Sequence, residues 1–211
     1  MGTSSRKTSK KIKELIERAR ETNPTVEWET LVPDISEGAL KARKTRQYFG
    51  DQEFVILAGG GFSSAKKVQE VGINQYAAEL GIVLKGEKEI DTEKIVEAIL
   101  DDLETAAEIS SSLLLNAFKL AFTQYLLQQT ADAEAFLFKF VQTVIRMAIE
   151  EAAKEELLNQ YKELQFKDIS LSIDEFATGY VMDKFSTIIA HYAEGKITVQ
   201  EFIGSIQEKL K

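Results

Sequence analysis

At 211 residues, with no cysteine, a single histidine and two prolines, the chain is long enough for one sizeable core that hides roughly 70% of its unfolded surface. Those counts exclude disulfide scaffolds, cysteine-ligated zinc or iron–sulfur sites and cysteine nucleophiles, and His191 alone cannot build a multi-histidine metal centre. The net charge of −8 divides unevenly: residues 1–48 carry 11 Lys/Arg against 7 Asp/Glu, a balance of +4, and the remainder carries −12.

Residues 1–13, MGTSSRKTSKKIK, are basic but lack a following apolar stretch, so no secretory signal is expected. Residues 1–8 read as small, polar and disordered, and 1–35 as a flexible basic N-terminal arm and linker. Within that arm, 9–21 places Ile12, Leu15, Ile16 and Ala19 on one helical stripe, ended by Asn23-Pro24. An extended linker carrying Trp28 and Leu31-Val32-Pro33 follows. Ser36 is the predicted N-cap of a helix over 37–49.

A short apolar run, 54–57, stops at Ala58 and three glycines, Gly59, Gly60 and Gly61; a hinge is expected at 58–61. Ser63 or Ser64 is then expected to cap a helix ending at Val71, and 73–84 to hold another. Asp91 reads as the cap of a helix whose inward stripe is Ile95, Ile99, Leu100 and Leu103. The stretch 105–129 is apolar nearly all round, which predicts a helix in the middle of a bundle. Asp132 opens a long amphipathic helix to about residue 164, with 150–163 expected to protrude. Two capping-box patterns, Ser172 with Glu175 and Thr198 with Glu201, precede the last two helices.

The predicted fold is thus all-α: a helical bundle of five or six main helices over 36–211, behind the basic arm. The longest uncharged apolar stretch, 109–118, stops at Lys119 and is too short to span a bilayer. A soluble, cytoplasmic protein is the expectation.

Few constellations carry chemistry. An apolar run, glycines, then Ser and Lys at a helix start can aim backbone N–H groups at an anion. The phosphate-loop Gly-Lys-Ser/Thr and the dinucleotide G-x-G-x-x-G are both absent, so a hinge is preferred and an anion loop is the alternative. Residues 192–202 resemble half of an EF-hand loop, with Glu201 at the last ligand position, but Ala190 and Tyr192 fall where carboxylates are needed. His191 has no nucleophile signature beside it. Adjacent carboxylates Asp101-Asp102 and Glu150-Glu151 point in different directions on a helix and make no catalytic pair. No catalytic residue, metal or cofactor is assigned, and the expectation is a protein that is not an enzyme.

Two basic groups remain: Arg6, Lys7, Lys10, Lys11 and Lys13, then Lys41, Arg43, Lys44 and Arg46. They support an alternative reading as a nucleic-acid-binding accessory protein using residues 1–48. At the extreme N-terminus, removal of Met1 exposes Gly2, and Arg6 occupies the position where a myristoylation signal needs Ser or Thr. A small Gly2-Thr3-Ser4-Ser5 tail suits insertion into a partner's active site.

That tail, the polar stretch behind it and Leu31-Val32-Pro33 resemble the QatB component of the four-gene Qat anti-phage defence systems. The tail here is richer in Lys than in Gly, Pro and Ser. The resemblance implies a non-catalytic protein that docks on a QueC-like ATP-using enzyme, QatC, beside other defence-system proteins. It implies Gly2 as the acceptor of a deazaguanine-type modification, with Thr3, Ser4, Ser5, Arg6 and Lys7 contacting the partner.

Overall fold

Long helical periodicities and only two prolines leave few points at which the backbone must break. The computed structural model describes residues 3–23, 27–128, 132–161 and 165–211, with side chains described outside 3–9, 88–90, 106 and 166. Among the described residues every regular element is helical. The α-helices are α1 (Thr3–Thr22), α2 (Val32–Leu40), α3 (Arg43–Gly50), α4 (Gln52–Val71), α5 (Ile73–Glu79), α6 (Lys88–Ala106), α7 (Ser112–Leu127), α8 (Ala133–Gln160), α9 (Phe166–Lys184), α10 (Ser186–Ala193) and α11 (Val199–Lys209), with a 3-10 turn at Trp28–Leu31. The all-α class holds, with more helices than the five or six expected.

The extra helices come from local breaks. Gly72, with φ +82°, separates α4 from α5. Gly81 (φ +73°) and Gly195 (φ +73°) close α5 and α10, each with the paired bonds of a left-handed helix end: Ile82 N–H to Ala77 O (2.8 Å) and Lys196 N–H to His191 O (2.8 Å). Ala42 is extended between α2 and α3.

The centre is α8 rather than the 105–129 stretch. Helices α1, α2, α3, α4, α7, α9 and α10 all pack on it. The expected apolar helix begins later, as α7 from Ser112, and leaves Leu120 and Leu127 exposed. Around α8 lies an aromatic centre, in which Phe54 stacks on Phe140 (5.2 Å) and Phe136 touches Phe118, Phe122 and Phe140 at 5.0–5.8 Å between centroids. Such pairs are worth about 0.5–1.5 kcal/mol each beyond their buried area.

Three expectations are corrected. Residues 3–22 are not an arm: the stripe of Ile12, Leu15, Ile16 and Ala19 forms, and it buries Ile12 and Ile16 against the core. Trp28, Leu31 and Val32, read as linker, are buried as well; residues 24–26 of that linker lie outside the described residues. The second half of α8 does not protrude, because α1 covers it, with Ala153 and Leu157 buried. Arg20 clamps the far end, donating to the Gln160 carbonyl and lying 4.5 Å above the Tyr161 ring.

The third correction is the glycine run. Gly59, Gly60 and Gly61 lie inside the continuous helix α4, so 58–61 is neither a hinge nor an anion loop. The reason is close approach. A Cβ on Gly61 would stand 2.6 Å from Phe118 Cε2 and collide with Phe136, and one on Gly60 would meet Leu103. The glycines let the aromatic centre and α6 press onto the α4 backbone.

Of the expected caps, two hold and four do not. Asp132 caps α8, and Thr198 with Glu201 forms the capping box of α11. Ser172 and Glu175 instead sit inside α9. Ser36 is an interior residue of α2, which starts earlier because Pro33 is tolerated in a first turn; its hydroxyl is buried without a hydrogen-bond partner. Asp51, not Ser63 or Ser64, caps α4. Asp91 lies within the first turn of α6, where its carboxylate accepts from Lys85 N–H and Gly86 N–H at 2.8–3.0 Å.

Candidate functional site

Gly2 lies outside the described residues. Thr3, Ser4, Ser5, Arg6 and Lys7 form the start of α1, so the chain is helical from residue 3 in place of the expected disorder. Of these five residues the structure describes the backbone alone. The first described side chain buried in the core is Ile12, nine positions in, or about 13 Å of helical rise. The first turn of any helix has N–H groups with no intrahelical partner, which makes it the turn most easily opened. Downstream, Lys10 and Lys13 pair with Glu14 and Glu17 on the same helix, at 3.7 and 3.8 Å.

The second basic group sits around α3. Thr45 donates to the Ala39 carbonyl (2.7 Å) and Phe49 is fully buried, which fixes the helix face. On one flank Glu151 of α8 accepts from both Lys44 and Tyr48, the latter at 2.8 Å. That hydrogen bond to Glu151 raises the Lys44 pKa against the opposing effect of burial. Tyr48 is raised by burial first and then by Glu151. Lys41 is likewise paired, with Glu37 at 3.0 Å.

The same helix borders an open groove of about 920 Å³, between α3 and the end of α11, which Lys44 and Tyr48 also line. Arg43, Arg46, Gln47, Gln52, Gln207 and Lys211 line it, together with Asp51. Gly50 is packed closely on the Gln207 amide, which a Cβ there would push aside. Asp51 turns its carboxylate to Glu53 N–H (3.2 Å). Arg43, Arg46 and Lys211 have no ion pair among the described residues, and Arg46 Nε is buried with no hydrogen-bond partner. An unmade bond of that kind costs about 1–3 kcal/mol.

Glu53 ties α4 to the turn before α7. It accepts from Ser110 N–H (3.0 Å), Ser110 Oγ (2.8 Å) and Ser111 N–H (2.8 Å). Burial pushes its carboxyl up, but these donors together pull it below the ordinary value.

A cleft of about 660 Å³ opens between the end of α4 and the end of α7, with Val68, Ile73, Leu84 and Leu126 as its apolar lining. Its polar groups are mostly occupied within the protein: Gln69 accepts from Ala133 N–H (3.1 Å) and Tyr125 donates to Ala65 O (2.9 Å). Burial, with Asp132 nearby, pushes the Tyr125 hydroxyl up to about 12. Sequence reading missed this cleft because its lining comes from the ends of five segments.

The remaining candidates resolve into ordinary structure. Glu201 serves its own helix, accepting from Thr198 N–H (2.7 Å) and Thr198 Oγ1 (2.9 Å). His191 is exposed in the last turn of α10. Glu150 pairs with Arg146 (3.6 Å), Glu151 serves α3, and Asp101 and Asp102 are exposed. Among the described residues no group of three or more His, Asp or Glu could hold a metal ion, and no helix is long and apolar enough to cross a membrane. Comparison with protein families, curated proteins and solved structures finds no match to this chain.

Proposed function

We propose that this is a non-catalytic interaction protein of an anti-phage defence system. It docks on a QueC-like enzyme and offers Gly2 for a deazaguanine-type modification. The observation that supports it most is the contrast along α1. Ile12, Ile16 and Arg20 root the helix in the body, whereas Gly2 adjoins a first turn that needs little energy to unwind. A rooted helix with an openable start delivers a small terminal glycine at a fixed place on a docking mass. The resemblance of the Gly2-Thr3-Ser4-Ser5 and Leu31-Val32-Pro33 segments to QatB supplies the partner's chemistry.

The experiment is intact-mass analysis after co-expression with a QueC-like enzyme. Added mass confined to the N-terminal peptide, together with a co-purifying enzyme, is the expected result. An unmodified N-terminus and no retained partner overturns the reading. The nucleic-acid reading of residues 1–48 draws less support, because Lys10, Lys13, Lys41 and Lys44 are each already paired with a carboxylate.

A further inference from the structure

The chain has 34 Asp and Glu against 26 Lys and Arg, so a carboxylate is the easiest partner for any cation to find. Lys41 and Lys44, on either side of Arg43, have found one. Arg43 and Arg46 have not, although they lie one helical turn apart and line the same groove. The groove is also lined by the carboxamides Gln47, Gln52 and Gln207 and by Lys44, which is paired with Glu151, and the one acidic side chain in the lining, Asp51, is turned to the α4 N-terminus.

We propose that the groove between α3 and α11 binds a small phosphate-bearing molecule, with Arg43 and Arg46 holding its phosphate oxygens. The guanidinium fork matches phosphate in a bidentate way that an ammonium does not. The three carboxamides supply donors and acceptors for the rest of the ligand. A long nucleic acid suits the place less. Residues beyond 48 carry −12, which repels an extended polyanion more than a small one. The proposal is independent of the N-terminal tail.

The test is calorimetric titration of the full chain at low salt with pyrophosphate, with ATP and with a single-stranded oligonucleotide. Pyrophosphate and ATP are expected to bind. Arg43→Gln and Arg46→Lys should each weaken both by about tenfold or more, and Lys196→Ala should change nothing. Arg43 is exposed, so Arg43→Gln carries the test even if Arg46→Lys disturbs the fold, which thermal melting checks. Absence of binding by both probes overturns the proposal, as does binding that Arg43→Gln leaves intact. An oligonucleotide that binds more tightly than ATP, with the same dependence on Arg43, overturns it in favour of nucleic acid.

Discussion

The aromatic centre and the α3 groove are built on opposite rules. In the centre, Phe118, Phe122, Phe136 and Phe140 are wholly buried, and α4 gives up its side chain at Gly61 so that the rings close the space. In the groove, the space stays open and two guanidinium groups stay unpaired. The centre therefore accounts for the fold and leaves nothing over. The groove costs stability that the fold does not recover, and such places are where function concentrates.

Four measurements break or sharpen that contrast. The largest effect is expected at the edge of the filled region. Ile16→Ala should lower unfolding free energy by about 3 kcal/mol in denaturant titration, the range for a buried isoleucine. A value near zero would return residues 3–22 to the status of a free arm. Next comes the glycine run. Gly61→Ala should cost about 2 kcal/mol by forcing Phe118 and Phe136 aside. Gly59→Ala, whose nearest neighbour would be Tyr192 Oη at 3.7 Å, should gain about 0.5 kcal/mol from helix propensity. Equal effects at the two positions would refute close approach as the reason for the glycines.

A third, smaller effect concerns acid. Asp91 and Glu53 are both held below their ordinary values of 3.8 and 4.5. For Asp91 the Lys85 N–H is the main cause; for Glu53 burial opposes and the Ser110 and Ser111 donors prevail. A carboxyl depressed in the folded state contributes stability above its unfolded pKa and loses it as pH falls through the folded one. Stability should therefore drop below about pH 4, and Asp91→Asn should flatten that drop. The smallest effect belongs to the groove: Arg43→Gln should shift stability by less than about 0.5 kcal/mol, because no partner is lost. A large loss would make the groove part of the scaffold.

What the sequence made legible was what neighbours in the chain decide. The Ile12–Ile16 stripe, the Asp132 cap and the Thr198–Glu201 box each depend on residues within one or two turns. The glycine run misled because its cause lies in Phe118 and Phe136, more than fifty positions away, while a glycine triplet by itself reads as a break. Arg43 and Arg46 were visible as charges. Their groove was not, since its other wall is Gln207 and Lys211 from the far end of the chain. The paired state of Lys44 was equally invisible without Glu151.

The seating of Gly50 on Gln207 also has a consequence for biosynthesis. Gly50 meets a residue more than 150 positions further along the chain, so α3 leaves the ribosome long before α11 does. The centre around α8 can assemble first, and the groove closes only when α11 docks. A ligand held there would bind only chains in which α11 has docked, and would hold α11 in place.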